Sequence, residues 1–385
     1  MCIRDSLRHA LAPAFSDRAL REQEPFLQNA VSMLMNKLRV KSLDGAQDLN
    51  RFFNYTSFDL ISELSFGDSF GCLGKADYHP FVKLFWGGVK VVPFLHAAYY
   101  YNLMPVMRFF TPKHLVKARQ QSAQYAYEKV NKRLAKTDST RRDFWHYIAQ
   151  GEEDTGVLAM EEKHNLGANL IFAGSETTAT TLSGCAYLML KNKRCYEAFV
   201  REVRSTFRHE KDITILSVAE LKYLQAVINE TLRVYNAVPG SFPRVVPAGG
   251  ETIDGRFIPA GTVVGVHQFA TNVSARNFAR PAEFLPERWL EPAQSAGSEF
   301  RADNRAAFQP FALGPRGCVG RSLALASLRV VLTRLVYNFD LELAPESAEW
   351  IARQKIFLNW EKPALMVRLR PRLDFALAQP GEACV

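Results

Sequence analysis

The sequence has no C-x-x-C pair and no Cys/His cluster at zinc spacing; its six cysteines stand apart at positions 2, 72, 185, 195, 318 and 384. That excludes a disulfide framework and a zinc module, and points to a reducing compartment with mostly buried free thiols. No apolar run is long enough to span a bilayer. The nearest, Val91 to Met107, is interrupted by Pro93, His96, Asn102 and Pro105, and reads as a buried or interfacial segment. The opening Met1-Cys-Ile-Arg-Asp-Ser6 is too polar for a secretory signal. There is no internal repeat, no low-complexity tract and no Pro- or Gly/Ser-rich linker, so one domain over residues 1–385 is expected. No flavin or nicotinamide fingerprint is present either. The net charge of +9 comes without a lysine-rich tract or nucleic-acid motif. Nucleic acid is therefore excluded as a partner, and an acidic protein or a membrane surface remains.

What is present is ample apolar material, 48% of the chain, arranged mainly at helical spacing. Ser16 can cap a helix running towards Leu38, with Asp17 in its first turn. Residues 48–65, 112–135 and 217–235 also carry the helical period. The strongest pattern runs from about Glu161 to Lys191, where Leu166, Leu170, Ala173, Thr177 and Leu182 recur without a proline. Residues 243–266 change texture to short strands, with Asp254-Gly255 as a hairpin signal. A last helix is expected from about Val319 to Asn338, followed by a strand with Phe339, Leu341 and Leu343 alternating. The fold class is mainly α with small β-sheets.

Two segments carry chemistry. In Phe311-Ala-Leu-Gly314-Pro-Arg316-Gly-Cys318-Val-Gly320, three glycines permit positive φ and close approach to something large and flat. Cys318 stands just before a helix, whose free amides and dipole favour a thiolate. Arg316 offers a cation to a carboxylate. A lone cysteine in a glycine loop is ordinarily structural, but here five residue types coincide at fixed offsets. In the long helix, Ala173-Gly174-Ser175-Glu176-Thr177-Thr178 puts a helix-weakening glycine beside hydroxyls able to bond back to main-chain carbonyls and open the helix. A carboxylate and a hydroxyl there could form a proton relay.

With these segments in hand, the sequence resembles the cytochrome P-450 family, whose haem-binding signature F-x-x-G-x-R-x-C-x-G is met at Phe311, Gly314, Arg316, Cys318 and Gly320. The oxygen-activating signature A/G-G-x-D/E-T-T/S is met at Ala173 to Thr178. The resemblance implies a triangular helical prism holding haem b, with Cys318 as axial ligand to the iron and Phe311 tuning its donation. It further implies that Arg316, Arg244 and Arg8 contact the haem, that Thr177 stabilises the iron-bound oxygen species, and that Glu176 feeds protons. Glu230-Thr-Leu-Arg233 and Phe284-Leu-Pro286-Glu287-Arg288-Trp289 match the family's E-x-x-R and P-E-R-W segments. Glu230, Arg233 and Arg288 are then expected to form a buried network that holds the cysteine loop.

Leu7 to Phe15 resembles the family's third major helix, W-x-x-x-R-x-x-x-x-P-x-F, at Arg8, Pro13 and Phe15, with Arg4 at the tryptophan position. On that alignment the chain lacks the membrane anchor, most of the N-terminal sheet and the loop roofing the substrate pocket, and residues 1–6 are a non-native start. The implied activity is a monooxygenase that inserts one atom of O2 into a lipophilic substrate such as a terpenoid or polyketide. Electrons would come from NADPH through NADPH-cytochrome P-450 reductase, docked on a basic face with Arg8, Arg321 and Arg329. The wording of the motifs is most similar to the microsomal, fungal secondary-metabolism branch, which implies the cytoplasmic face of the endoplasmic reticulum. Asn169, Phe172, Ala173, Ser241, Phe242, Ile356 and Phe357 are candidate substrate contacts. The Val91–Met107 aromatics Phe94, Tyr99, Tyr100 and Tyr101 are expected at the membrane surface. Two rivals remain: a haem-thiolate isomerase or dehydratase, which intact Glu176 and Thr177 argue against, and an inactive haem-binding fragment.

Overall fold

Ser16 starts the first long helix as its side chain allows: its hydroxyl oxygen accepts from the Ala19 amide at 3.2 Å. The computed structural model describes residues 3–83, 91–105, 113–136, 141–156 and 158–372. Met1, Cys2, Cys384 and the last residues of the Val91–Met107 segment lie outside them, as does the side chain of Arg4. In chain order the helices are α1 (Ile3–Leu11), α2 (Asp17–Lys41), α3 (Leu49–Phe66), α4 (Cys72–Lys75), α5 (Val92–Tyr100) and α6 (Lys113–Leu134). They continue as α7 (Phe144–Thr155), α8 (Met160–Lys191), α9 (Lys193–Thr206), α10 (Lys222–Val234), α11 (Gln268–Asn272) and α12 (Arg321–Asn338).

The long uninterrupted pattern becomes α8, and its C-terminal half is buried on nearly every side. Its chief partner is α3, itself buried over almost its whole length. Asp48 caps α3 by accepting from the Arg51 amide at 3.3 Å, and Gly67, at φ 68°, ends it. Against this pair pack α6, α10 and α12. Gly174 sits where α8 and α3 press together: a Cβ there would lie 2.5 Å from Ile61 Cδ1. Close packing therefore explains the glycine, and α8 stays continuous through it.

The strands are short. β1 (Gln47–Asp48), β9 (Met366–Pro371) and β6 (Phe339–Leu343) form an antiparallel sheet in that order, with Phe339 and Leu341 buried between exposed Asp340 and Glu342. β3 (Glu251–Ile253) and β4 (Arg256–Ile258) form the expected hairpin, with Asp254 at φ 51° and Gly255 at φ 72° as the turn requires. β2 (Arg244–Val245) pairs with β5 (Val263–Val264), and β7 (Lys355–Ile356) with β8 (Trp360–Glu361).

Two helix boundaries differ from expectation. The segment expected as one helix over 217–235 is a 3-10 turn, Ser217–Glu220, and then α10, because Leu221 between them is extended at φ −74°, ψ 102°. The last helix begins at Arg321 rather than Val319, with Gly320 as its cap residue. Among the described residues, no helix is long and apolar enough to cross a membrane, and no cluster of His, Cys, Asp and Glu is arranged to hold a metal ion.

Candidate active site

The loop before α12 is held open by its own backbone. The Cys318 amide donates to the Phe311 carbonyl at 2.7 Å and the Gly317 amide to Gly314 at 2.9 Å. Gly314 uses its freedom, at φ 68°, and so does Ala312, at φ 55°. Gly317 and Gly320 stay at negative φ (−59° and −84°), so the positive φ expected of all three glycines is needed at one. At Gly317 a Cβ would crowd the Gly314 and Ala312 carbonyls, at 3.3 and 3.4 Å.

Cys318 is the exposed cysteine of the described four; Cys72, Cys185 and Cys195 are buried. Burial pushes the Cys72 and Cys185 thiols up to about 12. Enclosure by the loop also raises Cys318, but the Gly320 amide and the Arg8 and Arg321 cations pull the other way. Arg8 reaches the loop from α1 and donates to the Gly317 carbonyl at 2.6 Å. Arg321 lies over the Phe311 ring, 5.7 Å from its centre. Arg316 is exposed, with no hydrogen-bond partner among the described residues. Arg244, on β2, donates to the Phe242 and Pro243 carbonyls at 3.3 and 2.9 Å.

On α8 the hydroxyls bond back as expected: Ser175 to the Ile171 carbonyl and Thr177 to Ala173, each at 2.7 Å. Asn169, Ala173 and Thr177, four residues apart, form a stripe that α3 does not cover; the first two are exposed and Thr177 is half-buried. Glu176, at the edge of that stripe, is buried. One of its oxygens, Oε1, accepts from the Lys362 ammonium and from the Thr180 hydroxyl at 3.1 Å. The other, Oε2, is buried without a hydrogen-bond partner. Burial pushes the carboxyl up, against the opposing pull of Lys362 and Thr180. The sequence offered no sign of Lys362, which comes from the distant segment after β8.

Behind the cysteine loop lies a buried ion network. Arg233 donates to both Glu230 oxygens at 2.9 and 2.8 Å, and Arg288 to Glu230 Oε1 at 3.0 Å. Arg288 also binds Asp303 at 2.6 Å, and Trp289 donates its indole N–H to Glu230 at 2.8 Å. The two arginines and two acids are 0–1% exposed. Asp303 and Trp289 complete a set of which the sequence motifs named three. The network reaches the loop through Arg305, which donates to the Arg288 carbonyl at 2.5 Å, and through Phe308, whose ring lies 4.7 Å from that of Trp289.

The remaining expected contacts lie on separate strands and loops. Ser241 bridges to His267, Phe242 is exposed, Ile356 is exposed on β7, and the Phe357 amide donates to the Asn359 carbonyl at 3.0 Å. No described contact joins Thr177 directly to the cysteine loop; α8 and α12 are packed against each other instead. An iron porphyrin fits these residues: an exposed sulfur lies in a loop that also exposes the apolar Leu313, with arginines available for carboxylates.

An exposed thiol aided by amides and cations, with a buried acid and a hydroxyl on one traversing helix, is an arrangement that suits a haem-thiolate protein. The chain belongs to the cytochrome P-450 family, whose model matches residues 4–367. It is 42% identical over 368 residues to cytochrome P-450 monooxygenase astJ of Aspergillus oryzae, covering 95% of this chain and 73% of that protein. It is 40% identical over 368 residues to the averantin hydroxylase of Dothistroma septosporum, covering 95% and 69%. The fold is similar to that of the cytochrome P-450DA haem domain, with TM-score 0.81, 21% identity, and 95% and 76% of the two chains covered. The chain is therefore a haem-thiolate monooxygenase using O2, electrons from a reductase and a small-molecule substrate, and the isomerase rival is not favoured.

Proposed function

We propose that the chain hydroxylates a lipophilic small molecule, with electrons from NADPH delivered by NADPH-cytochrome P-450 reductase. The setting is fungal secondary metabolism at the cytoplasmic face of the endoplasmic reticulum. The single observation that carries this reading is Cys318: an exposed thiol at the head of α12, next to the Gly320 amide and the Arg8 and Arg321 cations. The averantin hydroxylases among the relatives support hydroxylation as the reaction.

In this reading Cys318 would hold the iron of haem b, and Phe311 would limit how strongly the sulfur donates. Arg8, Arg244 and Arg316 would hold the haem carboxylates, and Gly314 and Gly320 would leave room beside the loop backbone for the cofactor. Haem, when bound, supplies the reductive activation of oxygen. Thr177 holds a proton at its hydroxyl and Glu176 resupplies it from the buried side. Asn169, Phe172, Ala173, Ser241, Phe242, Ile356 and Phe357 orient the substrate and exclude water. Arg321 and Arg329 belong to the face that meets the reductase, although Arg329 also donates to Gln225. At α5, the exposed Phe94, Tyr99, Tyr100 and Tyr101 suit a membrane surface.

The test is the carbon monoxide difference spectrum of the reduced, haem-loaded chain. A strongly red-shifted Soret band that disappears in Cys318→Ala is expected. A band unchanged by that substitution would show another ligand and overturn the assignment.

A further inference from the structure

A lysine buried at the centre of a helical protein needs a reason, because an ammonium there costs several kcal/mol to desolvate. The Lys362 side chain is 2% exposed and that of Glu176 1%, and they are paired. The lysine also donates to the Thr180 hydroxyl at 2.7 Å, and Thr180 donates to the same Glu176 oxygen at 3.1 Å. Ammonium, hydroxyl and carboxylate close a three-membered ring around Glu176 Oε1. Oε2 is left as the oxygen without a partner, buried as it is.

The lysine is held on both sides. Two residues before it, the buried Trp360 indole donates to the Asn236 carbonyl at 2.7 Å; three residues after it, the Leu365 amide donates to Asp48 at 2.9 Å. The pair also opens a polar seam between helices. Glu176, Thr180 and Ser183 share a buried face of α8, and Ser183 donates to the Asn50 side chain on α3 at 3.3 Å. Asn54 then donates to the Asn50 backbone and side-chain oxygens at 2.8 and 3.2 Å. Among the described groups facing Glu176, Lys362 is the one cation; Thr180 is neutral, and the Tyr78 and Tyr235 phenols feel the carboxylate as neutral neighbours.

We infer that Lys362 is a positioning residue for proton supply: it keeps Glu176 ionised and binds Oε1, so that Oε2 alone is free to take and pass on protons. The inference rests on the reading that Glu176 feeds protons to the site. Without the lysine, a buried unpaired carboxylate takes up a proton rather than remain charged. The acid would then be a neutral donor bound in a different orientation.

The experiment compares wild type, Lys362→Met, Lys362→Arg and Lys362→Met/Glu176→Gln at neutral pH by two spectra. The carbon monoxide band of each reports on the haem-thiolate reading. The infrared carbonyl band of a protonated carboxylic acid reports on the inference. The expected result is a protonated-acid band in Lys362→Met that is absent in wild type, in Lys362→Arg and in the double variant. A Lys362→Met infrared spectrum identical to wild type, with the carbon monoxide band intact, overturns the inference and leaves the haem-thiolate reading standing. A missing carbon monoxide band in wild type strikes that reading instead. Stability gives a second arm should Lys362→Met fold poorly. The double variant, which removes both charges together, is expected to denature at higher urea than Lys362→Met alone, and an equal midpoint overturns the inference.

Discussion

Gly174 shows how a residue can be placed by its neighbour across a helix interface rather than by its own helix. Alanine at that position would gain about 1 kcal/mol of helix propensity. It would also put a Cβ 2.5 Å from Ile61 Cδ1 and 2.8 Å from Cγ1, inside the contact between α8 and α3. Overpacking a close interface costs roughly 1–3 kcal/mol, so the packing loss outweighs the propensity gain. Gly174→Ala is expected to lower the urea midpoint, and Ile61→Ala alone to lower it by opening a cavity. Together they should cost less than the sum, because Ile61→Ala removes both atoms the new methyl meets. Strictly additive midpoints would return Gly174 to a role in bending α8.

At the scale of elements, the Glu230 network ties α10 to the segments that lead into the cysteine loop. Within it Arg288 meets Glu230, Asp303 and the carbonyls of Ala279 and Arg280, at 3.0, 2.6, 3.0 and 3.4 Å. Removing one partner of such a buried set costs about 3–5 kcal/mol, because the opposite charges stay buried. Arg288→Ala should accumulate without haem, and Arg288→Lys should not restore it, since one ammonium cannot span four acceptors in a planar fork. Normal haem absorbance per protein in Arg288→Lys would refute this. The network also marks how far the sequence could be read. Helical spacing gave α2, α3 and α8 nearly to their ends, and Asp254-Gly255 gave its hairpin, because those signals are local. The break at Leu221 was hidden because the apolar spacing runs straight through it. Asp303 and Lys362 were hidden for another reason: they join Arg288 and Glu176 from 15 and 186 residues away, and no spacing rule records such contacts.

At the scale of the whole molecule, exposed apolar side chains in the cysteine loop and in the segment around β2 and β5 matter together. Leu313 is 68% exposed, Val266 63% and Phe242 50%. Exposed apolar groups such as these are surface that a flat ligand can cover, with a gain of roughly 25 cal/mol for each Å² of apolar surface removed from water. A ligand that binds the folded state alone raises stability by RT ln(1 + [L]/Kd), about 2.7 kcal/mol at a hundredfold excess over Kd. Haem added to the folded apoprotein should therefore raise Tm, and the rise should continue with haem concentration. Two contributions separate by substitution: Cys318→Ser keeps the apolar surface and loses the thiolate, so it should retain a smaller rise. Leu313→Asp keeps the sulfur and puts a charge where the apolar surface lies, so it should also shrink the rise. Melting curves with and without haem decide between them. A rise unaffected by Cys318→Ser would mean that haem binds by surface burial alone, and a rise abolished by Cys318→Ser but untouched by Leu313→Asp would mean that the bond to sulfur does nearly all of it.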